Sequence, residues 1–290
     1  MIRFQYGEDQ YKETLIEMWR LCFPDSTQNF RTFYFNKVYR HEETLILTEN
    51  AVPVASFQMI PYRIKIANKI YPAAYISGVM THPDFQGKGY MGKLLNYALE
   101  ETKRKNIPIT FLIPQEEQLF NFYAKHGYQK AFPWNSDVTT EIKEKRKPEN
   151  NDFVQYKTMD EINSEGLRAI YSIYSQFLNK KEKVVIKTMR QFSNILEDLF
   201  LDNGSVFAGK NEITFAIPGA KGSSIVLKEC FCDPDTKNDF LSAIAGISGK
   251  KEITELNSSS GTFSHYWGMI RLSDESITID KDIYMNTMLN

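Results

Sequence analysis

Apolar residues recur at helical spacing at Tyr11, Leu15, Trp19 and Cys22, and again at Phe30, Phe33, Tyr34 and Val38 beyond the turn-forming Pro24, Asp25 and Ser26. Two amphipathic helices are expected there. Thr44 to Thr48, Pro53 to Tyr62 and Arg63 to Ser77 are β-rich runs, broken at Glu49-Asn50 and at Ala67-Asn68-Lys69 by turn formers, and predict antiparallel hairpins. From Gly89 to Asn106 the period returns to that of a helix, with Met91, Leu94, Leu95, Ala98, Leu99 and Thr102 on one face. Lys103, Arg104 and Lys105 suit the negative end of that helix. Ile109 to Ile113 is an apolar strand that can lie parallel to the strand before the helix, and Gln118 to His126 reads as a further helix closed by Gly127. The first half is therefore mixed α/β.

Residues 143–152, KEKRKPENND, contain no apolar side chain and predict an exposed linker. The division expected from it is 1–145 and 152–290. The second half repeats the order of the first. Helices are expected at Ser164 to Leu178 and Val184 to Phe200, and strands at Ser205 to Phe207, Glu212 to Ile217 and Ser223 to Cys232. A helix at Lys237 to Ile247 and strands near Glu252 to Leu256 and Tyr266 to Leu272 complete it. The repetition suggests a divergent duplication.

Composition narrows the function classes. With 290 residues, 42% hydrophobic and 24% charged, the chain has the make-up of a folded globular protein of about two domains. The 35 basic and 36 acidic residues leave a net charge of -1, so no overall field draws in nucleic acid or an anionic membrane. Any anion site must be local. The three cysteines, Cys22, Cys230 and Cys232, supply no structural zinc set. The odd count, with no cationic and apolar leader in the first ten residues, favours a cytoplasmic protein. Every apolar run is too short to span a bilayer.

Residues 77–94, SGVMTHPDFQGKGYMGKL, place glycines between a strand and a helix. Glycine lets backbone approach a ligand closely, and the first N–H groups of a helix lack internal acceptors, so phosphate oxygens can accept from them. Glycines alone more often just turn the chain. Gly87, Gly89 and Gly92 also satisfy G-x-G-x-x-G, with Glu116 or Glu117 at the distance of a ribose-binding acid, but His82 to Gln86 separate the strand from the first glycine. Residues 87–93 match most of a Walker A loop, except that Leu94 stands where the Ser or Thr hydroxyl belongs.

The run V-M-T-H-P-D-F-Q-G-K-G-Y-M-G-K-L-L resembles the acetyl-CoA-binding motif of the GNAT superfamily of N-acetyltransferases, Q/R-x-x-G-x-G/A after a strand. Gln86 and Gly89 match its core, and Met91 replaces the final small residue. A second block, F-L-I-P-Q-E-E-Q-L-F-N-F-Y-A-K-H-G-Y, resembles the family's strand and helix ending in F-Y-x-K-x-G-F/Y. Specific motifs cover about the first 140 residues. More loosely, the whole chain resembles the tandem-GNAT architecture of enhanced-intracellular-survival acetyltransferases, without their third, sterol-carrier-like domain. The implied fold is α/β (α+β), two tandem GNAT-like domains, each a mixed, mostly antiparallel sheet flanked by helices.

The resemblance implies transfer of an acetyl group from acetyl-CoA to a primary amine of a small molecule or peptide. It assigns cofactor binding to Val79, Met80, Thr81, Gln86, Gly87, Lys88, Gly89, Tyr90 and Met91, and no metal. The N–H groups of Gly87 to Met91 would hold the pyrophosphate and Gln86 would shape the loop. Val79 to Thr81 would pair with the pantetheine, and an N–H near Met80 would polarise the thioester. Tyr123, in F-Y-A-K-H-G-Y, takes the role of acid to the leaving thiolate, since a phenol of pKa about 10 is protonated at neutral pH. Outside that motif it would count as one of 16 tyrosines packing a helix. Neither His82 nor His126 is singled out as a base, and a water relay serves equally. Trp19, Phe23, Phe30, Phe33 and Tyr34 belong to helices whose family counterparts wall the acceptor site, although core packing accounts for most of them. In the second half the matching glycines are absent, and Asp233, Asp235 and Asp239 put negative charge there, with helix capping as their expected role. That half is expected to bind no CoA. The competing reading is an acyl-CoA-binding sensor without turnover.

Overall fold

A computed structural model of the chain describes residues 1–142, 153–278, 282–285 and 287–289. In chain order its strands and α-helices begin with β1 (Ile2–Tyr6), α1 (Lys12–Cys22), α2 (Gln28–Phe33), β2 (Thr44–Glu49), β3 (Val52–Ile66) and β4 (Lys69–Thr81). There follow α3 (Tyr90–Arg104), β5 (Ile109–Leu112), α4 (Glu117–Ala124), β6 (Gln129–Asn135), β7 (Val138–Glu141) and β8 (Val154–Tyr156). The remainder comprises α5 (Ser164–Asn179), β9 (Lys183–Ile186), α6 (Met189–Leu201), β10 (Ser205–Ala208), β11 (Ile213–Pro218), β12 (Ser224–Phe231), α7 (Lys237–Ser248), β13 (Glu252–Glu255) and β14 (Phe263–Leu272). The expected linker, 143–152, lies outside the described residues. No helix among them is long and apolar enough to cross a membrane.

Two compact units result, one of Met1–Phe132 with Tyr266–Ile283, the other of Pro133–His265 with Tyr284–Asn290. The first sheet runs β1-β2-β3-β4-β5-β14-β6. Its hairpins are antiparallel, as the β-rich runs predicted, and β4 and β5 are parallel with α3 as their crossover. Leu94, Leu95 and Ala98 of α3 bury against Leu45, Leu47, Val54, Phe57 and Ile76 of the sheet, the face that the apolar spacing marked. The second sheet runs β7-β13-β12-β11-β10-β8, and α7 links its parallel pair, β12 and β13. A parallel pair bridged by a helix thus occurs in each unit.

Several elements depart from the expectations. A π-helix over Tyr34–Val38 continues α2, so the second apolar stripe is not one regular helix. The helix expected from Val184 begins only at Met189. The β-branched Val184, Val185 and Ile186 are extended, and a capping box between Thr188 and Gln191 starts α6. The strand around Tyr266 to Leu272, assigned to the second half, belongs to the first sheet. Its Met269 to Leu272 pair antiparallel with Leu112 to Ile109 of β5, while Val138 to Glu141 of β7 pair with Glu255 to Glu252 in the second sheet. Each sheet therefore contains a strand from across the expected linker. Hydrogen-bonding demand is the reason, since the inner edge of β5 must be paired and β14 supplies its partner.

Candidate functional site

At the end of β4 the register with β3 slips, Ser56 facing Met80 but Gln58 facing Ser77. Gly78 and Val79 bulge outward as a result. Gly78 takes the left-handed conformation (φ +61°), and a Cβ there would sit 2.6 Å from Cζ3 of Trp19, so both backbone and packing require glycine. On its other side β4 pairs with β5 only from Ala73 to Tyr75. Beyond Tyr75 the two parallel strands part, and that flank of Val79, Met80 and Thr81 pairs with no strand among the described residues. The Thr81 carbonyl is taken by side chains, accepting from Cys22 Sγ (3.3 Å) and Gln86 Nε2 (3.2 Å). Gln86 thereby ties the two ends of the connecting loop together.

That loop contains a short 3-10 turn at Pro83–Phe85 and then Gly87 and Gly89, both left-handed at φ +76° and +74°. Neither glycine has any atom within 4 Å of where a Cβ would lie, so open space faces them. Gly89 is the N-cap of α3, which has no side-chain cap, and the first bond of the helix is from Lys93 N to Gly89 O (3.2 Å). The N–H groups of Tyr90 to Gly92 precede that first helical bond and so have no acceptor within the helix. An exposed helix N-terminus of this kind favours an anion. Lys88 Nζ lies 4.4 Å from the centre of the Phe85 ring, and Lys93 Nζ lies 5.5 Å from that of Tyr90. Tyr90 itself points inward and donates to Glu49 Oε1 (2.7 Å), so it offers a ligand only backbone. Met91 packs against the core at its edge.

Tyr123 of α4 is buried in the same apolar cluster as Val79, Phe85 and Met91. Its ring packs against Phe122 (5.2 Å) and Tyr128 (5.9 Å). Burial, followed by the neighbouring Tyr128 and Tyr75, pushes its pKa above the ordinary tyrosine value, so the phenol remains a donor. His126 Nδ1 lies 3.3 Å from Asn96 Oδ1, and burial, then Arg271, lowers its pKa. His82 accepts from the N–H of Asp84 within the loop (3.3 Å).

Residues 3–131 match the family model of the acetyltransferase (GNAT) domain. The first unit carries a GNAT acetyltransferase domain. Among solved structures, a GCN5-related N-acetyltransferase from Kribbella flavida superposes on 94% of the chain and 71% of its own, with a TM-score of 0.73 at 13% identity. A GCN5-related N-acetyltransferase from Anabaena variabilis gives 0.72 at 16% identity, covering 94% and 73%. Eis1 from Mycobacterium abscessus gives 0.67 at 11%, covering 94% and 74%. The tandem-like fold is thus common to all three. No curated protein sequence matches the chain.

The other face of the GNAT domain's bulge holds polar groups that the sequence did not single out. Gln58 and Ser56, 3% and 1% exposed, line a tight recess of about 10 Å³, room for one water-sized group, together with Trp19, Tyr34, Tyr39 and Met80. Tyr34 donates to Gln58 Oε1, whereas Gln58 Nε2 and Ser56 Oγ have no partner among the described residues. A buried polar group left unpaired is destabilising by about 1–3 kcal/mol, so a ligand that satisfies it gains affinity. Of the aromatic set, Trp19, Phe33 and Tyr34 are buried and Phe23 and Phe30 half-buried, with Trp19 and Tyr34 reaching the recess. In the second unit the N-cap of α7 is Thr236 and not an aspartate; Asp239 lies in the first turn, and Asp233 pairs with Lys180 (3.4 Å).

Proposed function

We propose that the GNAT domain transfers an acetyl group from acetyl-CoA to the primary amine of a small molecule or peptide. The observation that carries this reading is the uncapped start of α3 behind Gly87 and Gly89, beside the length of β4 that β5 has left. The N–H groups of Gly87 to Met91, with Lys88 nearby, bind the pyrophosphate, and Gln86 braces the loop. The free flank of Val79 to Thr81 pairs with the pantetheine amides, and an N–H near Met80 polarises the thioester carbonyl. Tyr123 donates a proton toward the sulfur that leaves.

The deciding experiment incubates the protein with acetyl-CoA and a panel of small amines, aminoglycosides and peptide amines while released thiol is followed. Amine-dependent thiol release is expected. Binding of acetyl-CoA without release for any amine would reduce the protein to a sensor. The glycines give a sharper check. Because their Cβ positions face open space, Gly89→Ala is expected to destabilise the fold only through its left-handed φ, by about 1–2 kcal/mol. The same methyl group projects at the anion site, so acetyl-CoA affinity is expected to fall at least about tenfold, the equivalent of roughly 1.4 kcal/mol. Calorimetry and a melting curve separate the two effects, and unaltered affinity would move the pyrophosphate elsewhere.

For the acceptor, the unpaired amide of Gln58 and hydroxyl of Ser56 receive a polar group of the amine substrate inside an aromatic wall. Gln58→Leu is expected to raise KM about tenfold or more for the best amine of the panel. The KM for acetyl-CoA is expected to stay where it is. Equal changes in both constants would show a general distortion of β3.

A further inference from the structure

The second unit holds a pair of thiols that acyl transfer does not use. Cys230 lies next to last in β12 and Cys232 follows the strand, so their side chains leave the same face. Their sulfurs are 3.7 Å apart. Both are partly exposed and rest against the cluster of Phe207, Leu227, Phe240 and Ile253. No third His, Cys, Asp or Glu among the described residues joins them to make a metal site. Lys237, at the first turn of α7, is ion-paired with Glu255 (Nζ–Oε2 2.9 Å), and its charge reaches both sulfurs. Cys22, the remaining thiol, donates to the Thr81 carbonyl.

We propose that Cys230 and Cys232 are a redox modification site, a dithiol that closes to an intrachain disulfide by exchange with a low-molecular-weight disulfide. Two thiols already in van der Waals contact need to approach by less than a bond length more to reach the S–S distance of about 2.0 Å. The order of attack follows from the surroundings. Either thiol can donate in the contact between them; the pairing, aided by Lys237, lowers the pKa of Cys232, whereas Cys230 is raised by the same pairing and by burial. A thiolate is the attacking species in exchange, so Cys232 acts first. Its sulfur displaces one thiolate from the small disulfide, leaving a mixed disulfide. Cys230 then loses its proton and attacks Cys232 Sγ, releasing the second small thiol. Two protein thiols are oxidised and one small disulfide is reduced to two thiols.

The test uses the full-length protein, reduced and then freed of reductant, with oxidised glutathione as the probe. Titratable thiols are expected to fall from three to one, the intact mass to drop by two hydrogens, and a peptide map to retain both Cys230 and Cys232 in one cross-linked fragment. Cys230→Ser is expected to keep one glutathione on Cys232, and Cys232→Ser to leave Cys230 as a free thiol. Phenylarsine oxide, which bridges two sulfurs through one arsenic, is expected to be retained by reduced wild-type protein and lost from either variant. Three thiols still titrating in the wild type, glutathione held stably on it, or no retention of the arsenical overturns the proposal.

Discussion

Tyr123→Phe is expected to lower kcat by about 10²–10⁴-fold, the usual worth of a positioned proton donor, while the Kd for acetyl-CoA changes little. The asymmetry follows from the packing. Phenylalanine retains the ring contacts with Phe122 and Tyr128 and loses only the hydroxyl. Because burial raises the pKa of Tyr123, the phenol stays protonated beyond the ordinary tyrosine value of about 10. The rate is therefore expected to show no alkaline decline from Tyr123 as pH passes through 10, and a decline there that the Phe variant abolishes would contradict the environment described. Pre-steady-state release of CoA thiol separates chemistry from product dissociation. An unchanged chemical step in the variant would remove Tyr123 from the reaction.

The second large effect belongs to Gly78. Alanine there must adopt φ +61° and place its methyl group 2.6 Å from Trp19. Left-handed strain of about 1–2 kcal/mol adds to an overpacking cost of about 1–3 kcal/mol, so destabilisation of roughly 2–5 kcal/mol is expected. Denaturant midpoints would report it. A Trp19→Phe background is expected to recover the steric share and not the conformational share, which a double-mutant cycle resolves. Loss within about 0.5 kcal/mol of wild type would mean that the bulge can flatten without penalty. Since the bulge sets the course of Val79 to Thr81, Gly78→Ala is also expected to weaken acetyl-CoA binding.

Much of the first unit was legible from local pattern because its determinants are local. The apolar face of α3, the hairpins of β2 to β4 and the glycine-led helix start each repeat a short-range rule within one segment. The start of α6 was also written locally, in the Thr188 and Gln191 capping box, but the apolar run of Val184 to Ile186 resembles one turn of a helix as well as a strand. A glycine inside a β run, as at Gly78, signals a bulge, but only the contact with Trp19 shows why no other residue fits. Gln58 and Ser56 could not be recognised. They occupy successive inward positions in an ordinary strand alternation, and the aromatic side chains that line the recess with them come from α1 and the helical segment after α2. Short strands such as β7 and β8 bury little apolar surface of their own, and only pairing defines them.

The placement of β14 beside β5 bears on how the chain acquires its form during synthesis. The partners Leu112 and Met269 are more than half the chain apart, so the first sheet cannot close when its own segment leaves the ribosome. Until Met269 to Leu272 emerge, β5 waits as an open edge able to pair with other chains. High contact order of this kind slows folding and lengthens that exposure. The glycine loop and α3 are synthesised well before β14, so the sheet that holds them steady is finished long after they have emerged.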